Sequence, residues 1–235
     1  MRSATRRGVV ASLGLTLLGV TLAAAPGTAA AESISASEAA SPAAYVAYLT
    51  EKAAAGDTGA QEAANQFKEL PAEKQNRFLE LINDPATTKA LVEEADKAPE
   101  AATARTTLAD GDVVIAREGE TGVQAGAAYK DMWASYSVYD TIFGIKVTKV
   151  TVRTNFQVKG KNTTKVYPGS ASHYNYVPAA SFDNSPVKEW ISSPPADNAQ
   201  SETVWTARWT GGLGSWSARE RVWGDYRGFV GGYLK

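Results

Sequence analysis

The sequence predicts an α+β protein in which a short N-terminal helical region precedes an antiparallel β-sandwich or open β-barrel. Three observations support this prediction. Of the 22 aromatic residues in the 235-residue chain, 18 follow residue 120. Residues 32–120 carry a net charge of −9, from 17 acidic and 8 basic residues, whereas residues 121–235 carry +5, from 8 acidic and 13 basic residues. The spacing of apolar residues changes between these regions from a helical to an alternating pattern.

Residues 1–31 are predicted to form a secretory signal peptide. Three early arginines give a positively charged start, residues 9–24 are apolar and uncharged, and the alanines at 29–31 supply a cleavage site of small residues. The apolar run is short for a transmembrane helix. Because Arg6-Arg7 also resembles a twin-arginine signal, both export by that route and general secretion stay open. The mature protein is expected to be extracellular and to have no stable membrane span.

The acidic region, residues 32–97, is predicted to form short helices. Ser41-Pro42 supplies a capping side chain followed by proline at the first helical position, and Gly56 supplies a stop. Pro71 and Asp84-Pro85 divide the remainder into three further helices. Helices of this length are marginal in water by themselves. We therefore expect them to pack on one another or on the rest of the chain.

Residues 98–107, which are rich in Ala and Thr, are predicted to be a linker to an antiparallel β-domain at residues 108–235. The clearest strand is 150–158, in which apolar and polar residues alternate. The alternation shifts by one residue near Thr148-Lys149, which predicts a β-bulge. Residues 160–162 are predicted to turn the chain into a partner strand.

The last predicted hairpin pairs residues 201–209 with residues 215–223 across a loop at 211–214. With this loop, the numbers of paired residues sum to 425. One face of the hairpin is then mostly apolar, which supports the register because a slip of one residue would turn those side chains outward. Glu220 is the exception on that face, and it falls beside Trp205. The other face is basic.

The composition excludes several kinds of active site. The chain has no cysteine, so it has no disulfide, thiol nucleophile or thiolate metal site. His173 is the single histidine, no nucleophile-elbow motif is present, and we predict a packed or surface strand residue there. We therefore predict no catalytic residue, no metal and no cofactor. A carboxylate-dependent hydrolase stays open as an alternative, and its candidate acids are Asp183, Glu189, Asp197 and Glu202.

The predicted ligand-binding site lies on and beside the basic face of the last hairpin. A disulfide-free β-domain needs large aromatic residues in its core, so Trp205, Trp209 and Trp216 are assigned there. The site then consists of an aromatic and basic cluster in which guanidinium groups bind anions while rings stack on a sugar or apolar patch. Its members are Trp223, Arg221, Arg219, Tyr226 and Arg227.

Three segments are similar to secreted actinobacterial proteins of unknown function. They are residues 143–150 (FGIKVTKV), 201–206 (SETVWT) and 231–235 (GGYLK). The alanine-rich signal peptide is similar to theirs as well, and the resemblance covers most of the mature chain. It implies export, but it implies no activity and no site residues, because none is established for these proteins.

These expectations describe a secreted, non-catalytic binding protein. Its β-domain is expected to recognise an extracellular polysaccharide, an envelope polymer or a secreted protein, and no nucleic acid. The alternative is a secreted, bacteriocin-like toxin that acts on membranes, and a hydrolase is the less favoured third option. The opposite charges of the two regions also suggest that the helical region docks on the β-domain.

Overall fold

A computed structural model describes residues 41–96, 102–124, 129–210 and 214–235. The predicted signal peptide lies outside these ranges. The described chain contains four α-helices and ten strands in two antiparallel sheets, which confirms the predicted α+β class with a sandwich-like arrangement. Among the described residues, no helix is both long and apolar enough to cross a membrane.

The helices are α1 (Pro42–Ala54), α2 (Thr58–Glu69), α3 (Ala72–Asn83) and α4 (Pro85–Asp96). The start of α1 follows the predicted capping chemistry, and α2 has a side-chain cap of the same kind. The Ser41 hydroxyl accepts a hydrogen bond from the Ala44 amide at 3.2 Å, and the Asp57 carboxylate accepts one from the Ala60 amide at 3.1 Å. The helices contribute a small cluster of aromatic rings and several aliphatic side chains to one buried core, which the strands share.

The first sheet contains five consecutive strands in the order β1-β2-β3-β4-β5. They are β1 (Thr103–Leu108), β2 (Val113–Gln124), β3 (Lys130–Ile142), β4 (Ile145–Lys159) and β5 (Asn162–Asn175). β1 occupies the end of the stretch predicted as a linker, residues 98–107. Its six residues pair with Val113–Glu118, and three of the six are threonine, which is enriched in strands. The predicted bulge is present, because the β3–β4 register shifts at Val147.

The second sheet has the order β10-β9-β8-β6, and β7 pairs with β8 next to β6. Its strands are β6 (Ala180–Asn184), β7 (Lys188–Ile191), β8 (Ala199–Trp209), β9 (Ser215–Asp225) and β10 (Gly228–Leu234). Short β6 and β7 lie end to end along one edge of β8. The sheet is therefore smaller than the first sheet and covers only part of it.

The β8–β9 hairpin has a register two residues away from the predicted one. Paired residue numbers sum to 423, as in Thr203 with Glu220, and the predicted sum of 425 was wrong. The shift accompanies two backbone hydrogen bonds near the end of the hairpin: the Thr210 amide donates to the Ala179 carbonyl at 2.8 Å, and the Trp209 amide donates to the Gly214 carbonyl at 3.1 Å. Because the shift is an even number, the side chains keep their predicted faces.

Two layers cover the inner face of the first sheet. At one end the second sheet packs against it so closely that a β-carbon on Gly232 would lie 2.4 Å from the ring of Tyr136. At the other end the helices contact it, as shown by the Lys74 ammonium 5.2 Å from the ring of Phe143 and by the contacts of α4 with β2, β3 and β10. Among the described residues, neither layer covers the outer face of the first sheet.

A buried carboxyl group lies on the inner face of the first sheet. Asp140 accepts hydrogen bonds from the Thr148 amide, at 2.8 Å, and from the Thr148 hydroxyl. Burial raises the pKa of Asp140 from 3.8 to about 6, although both hydrogen bonds oppose the rise. An acid with a raised pKa in the folded state binds more protons when folded. Stability is therefore lost as the pH rises from about 3.8 through about 6.

Asp140→Asn is expected to remove this dependence, because an amide oxygen still accepts both bonds and no charge is buried. Its free energy of unfolding should exceed that of the wild type by about 2–3 kcal/mol at neutral pH, and the difference should vanish below the ordinary pKa of aspartate. Urea unfolding of both proteins across this range measures it. A difference that is independent of pH would contradict the assignment.

Candidate functional site

The outer face of the first sheet is built by strict alternation in β3. Met132, Ala134, Tyr136 and Val138 point inward and are buried. The alternating residues point outward. They form a row on the other side of the strand that consists of Trp133, Ser135, Ser137 and Tyr139.

The register places outward residues of β4 and β5 beside this row. Across from β3, Ser135 pairs with Arg153, Ser137 with Thr151, and Tyr139 with Lys149. The same three β4 residues then pair with β5 residues Ser170, Ser172 and Tyr174. Three strands therefore contribute a band of small hydroxyl side chains flanked by longer ones.

We call this band the hydroxyl trough, and its floor consists of Ser135, Ser137, Thr151, Ser170 and Ser172. The depression has a volume of about 500 Å³. The hydroxyl oxygens of Ser137 and Thr151 are 2.9 Å apart and form a cross-strand hydrogen bond. The floor is fixed by the sheet and presents groups that both donate and accept hydrogen bonds.

Two stacked pairs of a cation and an aromatic ring form the walls of the trough. The Arg153 guanidinium carbon lies 4.1 Å from the centre of the Trp133 ring, and the Lys149 ammonium lies 5.7 Å from the centre of the Tyr139 ring. Four residues of extended strand separate the two cations, so their backbones are about 13 Å apart. Trp133 lies flat over Gly122, where a β-carbon would come within 2.3 Å of its indole nitrogen.

Two further depressions adjoin the trough and share lining residues with it. Beyond the Tyr139 wall is one of about 570 Å³, which also contacts Arg105, Glu118 and Tyr174. The Tyr139 hydroxyl donates to Glu118 at 2.6 Å, so this wall is held in place. Beyond the Trp133 wall is a smaller depression of about 290 Å³ beside Tyr167. The three depressions form one concave surface along the sheet.

The wall cations have no carboxylate partner among the described residues. The Nε of Arg153 donates to the Asn155 side chain at 3.0 Å, which helps to orient the guanidinium over the Trp133 ring. Lys149 forms no ion pair in the described ranges. Both groups are therefore available to an anionic ligand, and the acid that also lines the depression, Glu120, pairs with neither of them.

The predicted arginines on the second sheet are in the opposite situation. The guanidinium of Arg221 binds the Glu202 carboxylate through two nitrogens, with Nε at 2.7 Å, and it lies between the rings of Trp190 and Tyr233. Arg219 lies 3.5 Å from the other oxygen of the same carboxylate. Their charge is neutralised within the protein, which weakens the case for an anion site there.

The remaining predicted residues do not join the arginines in one cluster. Trp223 is half-buried: its ring packs edge-on against Tyr233, with ring centres 6.0 Å apart, and covers Gly231. Tyr226 and Arg227 lie in the turn between β9 and β10, where Arg227 binds Asp225 at 2.7 Å. The structure thus divides the predicted site between the outer face of the second sheet and one end of the sandwich.

The candidate catalytic groups are each engaged in a separate contact. His173 is exposed on one side, while its other side stacks on Phe182, and burial against the neighbouring rings lowers its pKa. Asp183 pairs with Arg208, Glu189 accepts from the Gly169 amide, and Asp197 accepts from the Thr163 amide. Glu202 pairs with the arginines of the second sheet. Within the described ranges, no three acidic or histidine side chains converge on a point where a metal ion could bind.

Sequence reasoning missed the hydroxyl trough, although a signal for it was present. Thr151 and Arg153 fall on the polar side of the predicted strand 150–158, and the alternation at 133–139 has the same form. What the sequence lacked was the order of the strands, because the floor combines residues from three of them. Comparisons with family models, with curated proteins and with solved structures found no match for this chain.

Proposed function

We propose that this protein binds an extended acidic polysaccharide in the hydroxyl trough without altering it chemically. The observation that carries the proposal is the row of five hydroxyl groups between two cations without carboxylate partners. Serine and threonine hydroxyls match sugar hydroxyls as mutual donors and acceptors, while arginine and lysine match carboxylate or phosphate substituents. Polysaccharide recognition was one of the expected functions, but the surface differs from the expected one around Trp223.

The shape of the site supports a polymer rather than a small molecule. The trough is open and continues into the depressions on both sides, whereas sites for small ligands usually enclose most of the ligand surface. Its floor is rigid because every hydroxyl stands on a paired strand. A preformed surface of this kind avoids the entropy cost of ordering loops upon binding.

The test is binding to polygalacturonate, an acidic polysaccharide, with dextran as the neutral comparison. The double variant Lys149→Ala/Arg153→Ala should bind polygalacturonate at least tenfold more weakly than the wild type, because each charged hydrogen bond is worth about 1.5–3 kcal/mol. Isothermal titration calorimetry measures the dissociation constants. Wild-type binding should weaken as salt is added.

The matched control is Lys188→Ala/Arg219→Ala, which removes the same charge from exposed positions of the second sheet. It should bind like the wild type. Ser172→Trp, at an exposed position of edge strand β5, should also prevent binding by filling the trough. Unchanged binding by the trough variants would overturn the proposal, and so would equal affinity for dextran. If binding is lost only in Trp223→Ala/Arg221→Ala, the binding site lies on the second sheet, as the sequence predicted.

A further inference from the structure

Most of the large hydrophobic side chains that are exposed in the described chain lie at one end of the sandwich. The described chain has four such side chains. Three of them lie at this end: Val123 (56% exposed), Tyr129 (44%) and Tyr226 (38%). The fourth, Ile191, lies in β7. Because large apolar side chains are rarely clustered in water without a reason, this end is a candidate interaction surface.

Contacts of the β4–β5 and β9–β10 turns with the neighbouring ends of β2 and β3 bring these side chains together. A β-carbon on Gly228, at the β9–β10 turn, would lie 2.7 Å from the hydroxyl oxygen of Thr121 near the end of β2. From the β4–β5 turn, the Lys159 ammonium lies 5.5 Å from the ring of Tyr129, and the Lys161 ammonium lies 6.0 Å from the ring of Tyr226. The β4–β5 turn therefore stands between the two exposed tyrosines.

Four cations lie at this end, against the acids Asp131, which follows Lys130, Asp197, which accepts from the Thr163 amide, and Asp225. Lys130, Lys159 and Lys161 are exposed and form no ion pair with a described residue, and the fourth cation, Arg227, also lies over the Tyr226 ring. Asp225 is buried beneath Arg227, so its charge is covered. We call the seven residues the basic aromatic tip: Val123, Tyr129, Lys130, Lys159, Lys161, Tyr226 and Arg227.

We propose that the basic aromatic tip docks on the surface of an anionic phospholipid bilayer. Tyrosine rings prefer the boundary between headgroups and hydrocarbon, because one end of the ring is apolar and the hydroxyl is polar. Lysines beside them attract anionic headgroups. The combination of protruding tyrosines and unpaired lysines at hairpin turns matches this boundary in both charge and polarity. The tip and the hydroxyl trough share no residue, so this proposal does not rest on the proposed function.

The geometry favours peripheral docking over insertion. The β4–β5 and β9–β10 turns are short and close paired hairpins, so they present side chains without freeing backbone groups that hydrocarbon could not satisfy. The apolar contribution is limited to three side chains. Attachment should therefore need both the tyrosines and the lysines and be weakened by salt.

Cosedimentation with vesicles tests the proposal. The protein should bind vesicles of phosphatidylcholine and phosphatidylglycerol in equal parts and should not bind phosphatidylcholine alone. Lys159→Gln/Lys161→Gln should weaken binding about tenfold or more, and Tyr129→Ser/Tyr226→Ser should weaken it similarly. The matched controls are Lys188→Gln/Arg219→Gln for charge and Ile191→Ser for an exposed apolar side chain. Both should bind like the wild type, and so should Lys149→Ala/Arg153→Ala.

Several results would overturn the proposal. They are absence of binding to the anionic vesicles, equal binding by the tip variants, and an equal loss in the second-sheet controls. Displacement from vesicles by polygalacturonate in the trough variant would show that the tip recognises an acidic polymer instead of lipid. Release of an entrapped dye would show that the protein inserts into the bilayer and does not only dock on its surface. Retention of the dye during binding would support the proposal.

Discussion

Trp205→Ala is expected to lower the free energy of unfolding by about 4 kcal/mol or more. The side chain is completely buried between the sheets, and truncation of a buried tryptophan usually costs about 3–5 kcal/mol through lost burial and the cavity left behind. A second cost arises here. The indole nitrogen donates to the Glu220 carboxyl at 2.6 Å, and Glu220 is itself completely buried. Since small domains are stable by about 5–15 kcal/mol, the variant should be close to unfolding.

The Glu220 contribution can be separated from the cavity. Burial raises the pKa of Glu220 well above its ordinary value, although the hydrogen bond from Trp205 opposes the rise. The group is therefore a buried acid that loses its indole donor in Trp205→Ala. Adding Glu220→Leu should recover part of the lost stability, because it removes the polar group left without that partner. Replacing both partners is less harmful than replacing one.

Urea denaturation of Trp205→Ala, Trp205→Ala/Glu220→Leu and Trp209→Ala measures these effects. Trp209 is a suitable control because it is also buried, but its indole nitrogen has no hydrogen-bond partner. Trp209→Ala should therefore show the cost of the cavity without the cost of leaving a buried acid without its hydrogen-bond donor. The account fails if Trp205→Ala is no more harmful than Trp209→Ala, or if Glu220→Leu lowers the stability of Trp205→Ala further.

The same pair of residues shows what the sequence could predict about the fold. Alternation placed Trp205 and Glu220 on one face of a hairpin and identified the acid as an exception there. The register was wrong by two residues, since Thr203 and not Trp205 is the backbone partner of Glu220. Faces follow from the two-residue period of a strand, which is local. The register is accompanied by the hydrogen bond from Thr210 to Ala179, which joins distant parts of the chain.

Functional surfaces follow the same division between local and distant information. The predicted arginines are outward-facing, as alternation required. Their neutralisation by Glu202 depends on the β8–β9 register, and the Arg221 contacts with Trp190 and Tyr233 depend on β7 and β10 as well. A strand face that is basic in the sequence can therefore be neutral in the structure, because acidic side chains of neighbouring strands pair with it. The wall cations of the hydroxyl trough, Lys149 and Arg153, lack such neighbours among the described residues and were not distinguished by sequence alone.

The helices also depend on contacts that the sequence does not specify. The charge difference between residues 32–120 and 121–235 suggested electrostatic docking of the helices. Ion pairs between the helices and strands are sparse in the described ranges, as illustrated by Glu62 and Lys146 at 3.6 Å, with both side chains more than half exposed. Exposed pairs of this kind contribute little. Apolar side chains of the helices and of the strands belong to one buried cluster. We therefore expect a buried side chain to be the main determinant of the contact between helices and strands.

That side chain is Tyr45 of α1, and Tyr45→Ala should destabilise the protein by about 3–5 kcal/mol. Tyr45 is completely buried, and its ring centre lies 5.0 Å from that of Phe67 in α2 and 5.4 Å from that of Phe78 in α3. Its hydroxyl donates to the Tyr176 carbonyl, just beyond β5, at 3.2 Å. One residue thus joins three helices to the first sheet.

Tyr45→Phe separates the two roles, because it keeps the ring and removes only the hydrogen bond to Tyr176. It should cost about 1 kcal/mol, the usual net value of a hydrogen bond. Circular dichroism at helical wavelengths and tryptophan fluorescence should follow the same urea transition in both variants, because every tryptophan lies in the strands while the helices contain none. If Tyr45→Ala melts the helical signal before the fluorescence changes, the helices and sheets unfold separately. If the Phe and Ala variants are equally unstable, the hydroxyl and not the ring holds the helices against the sheet.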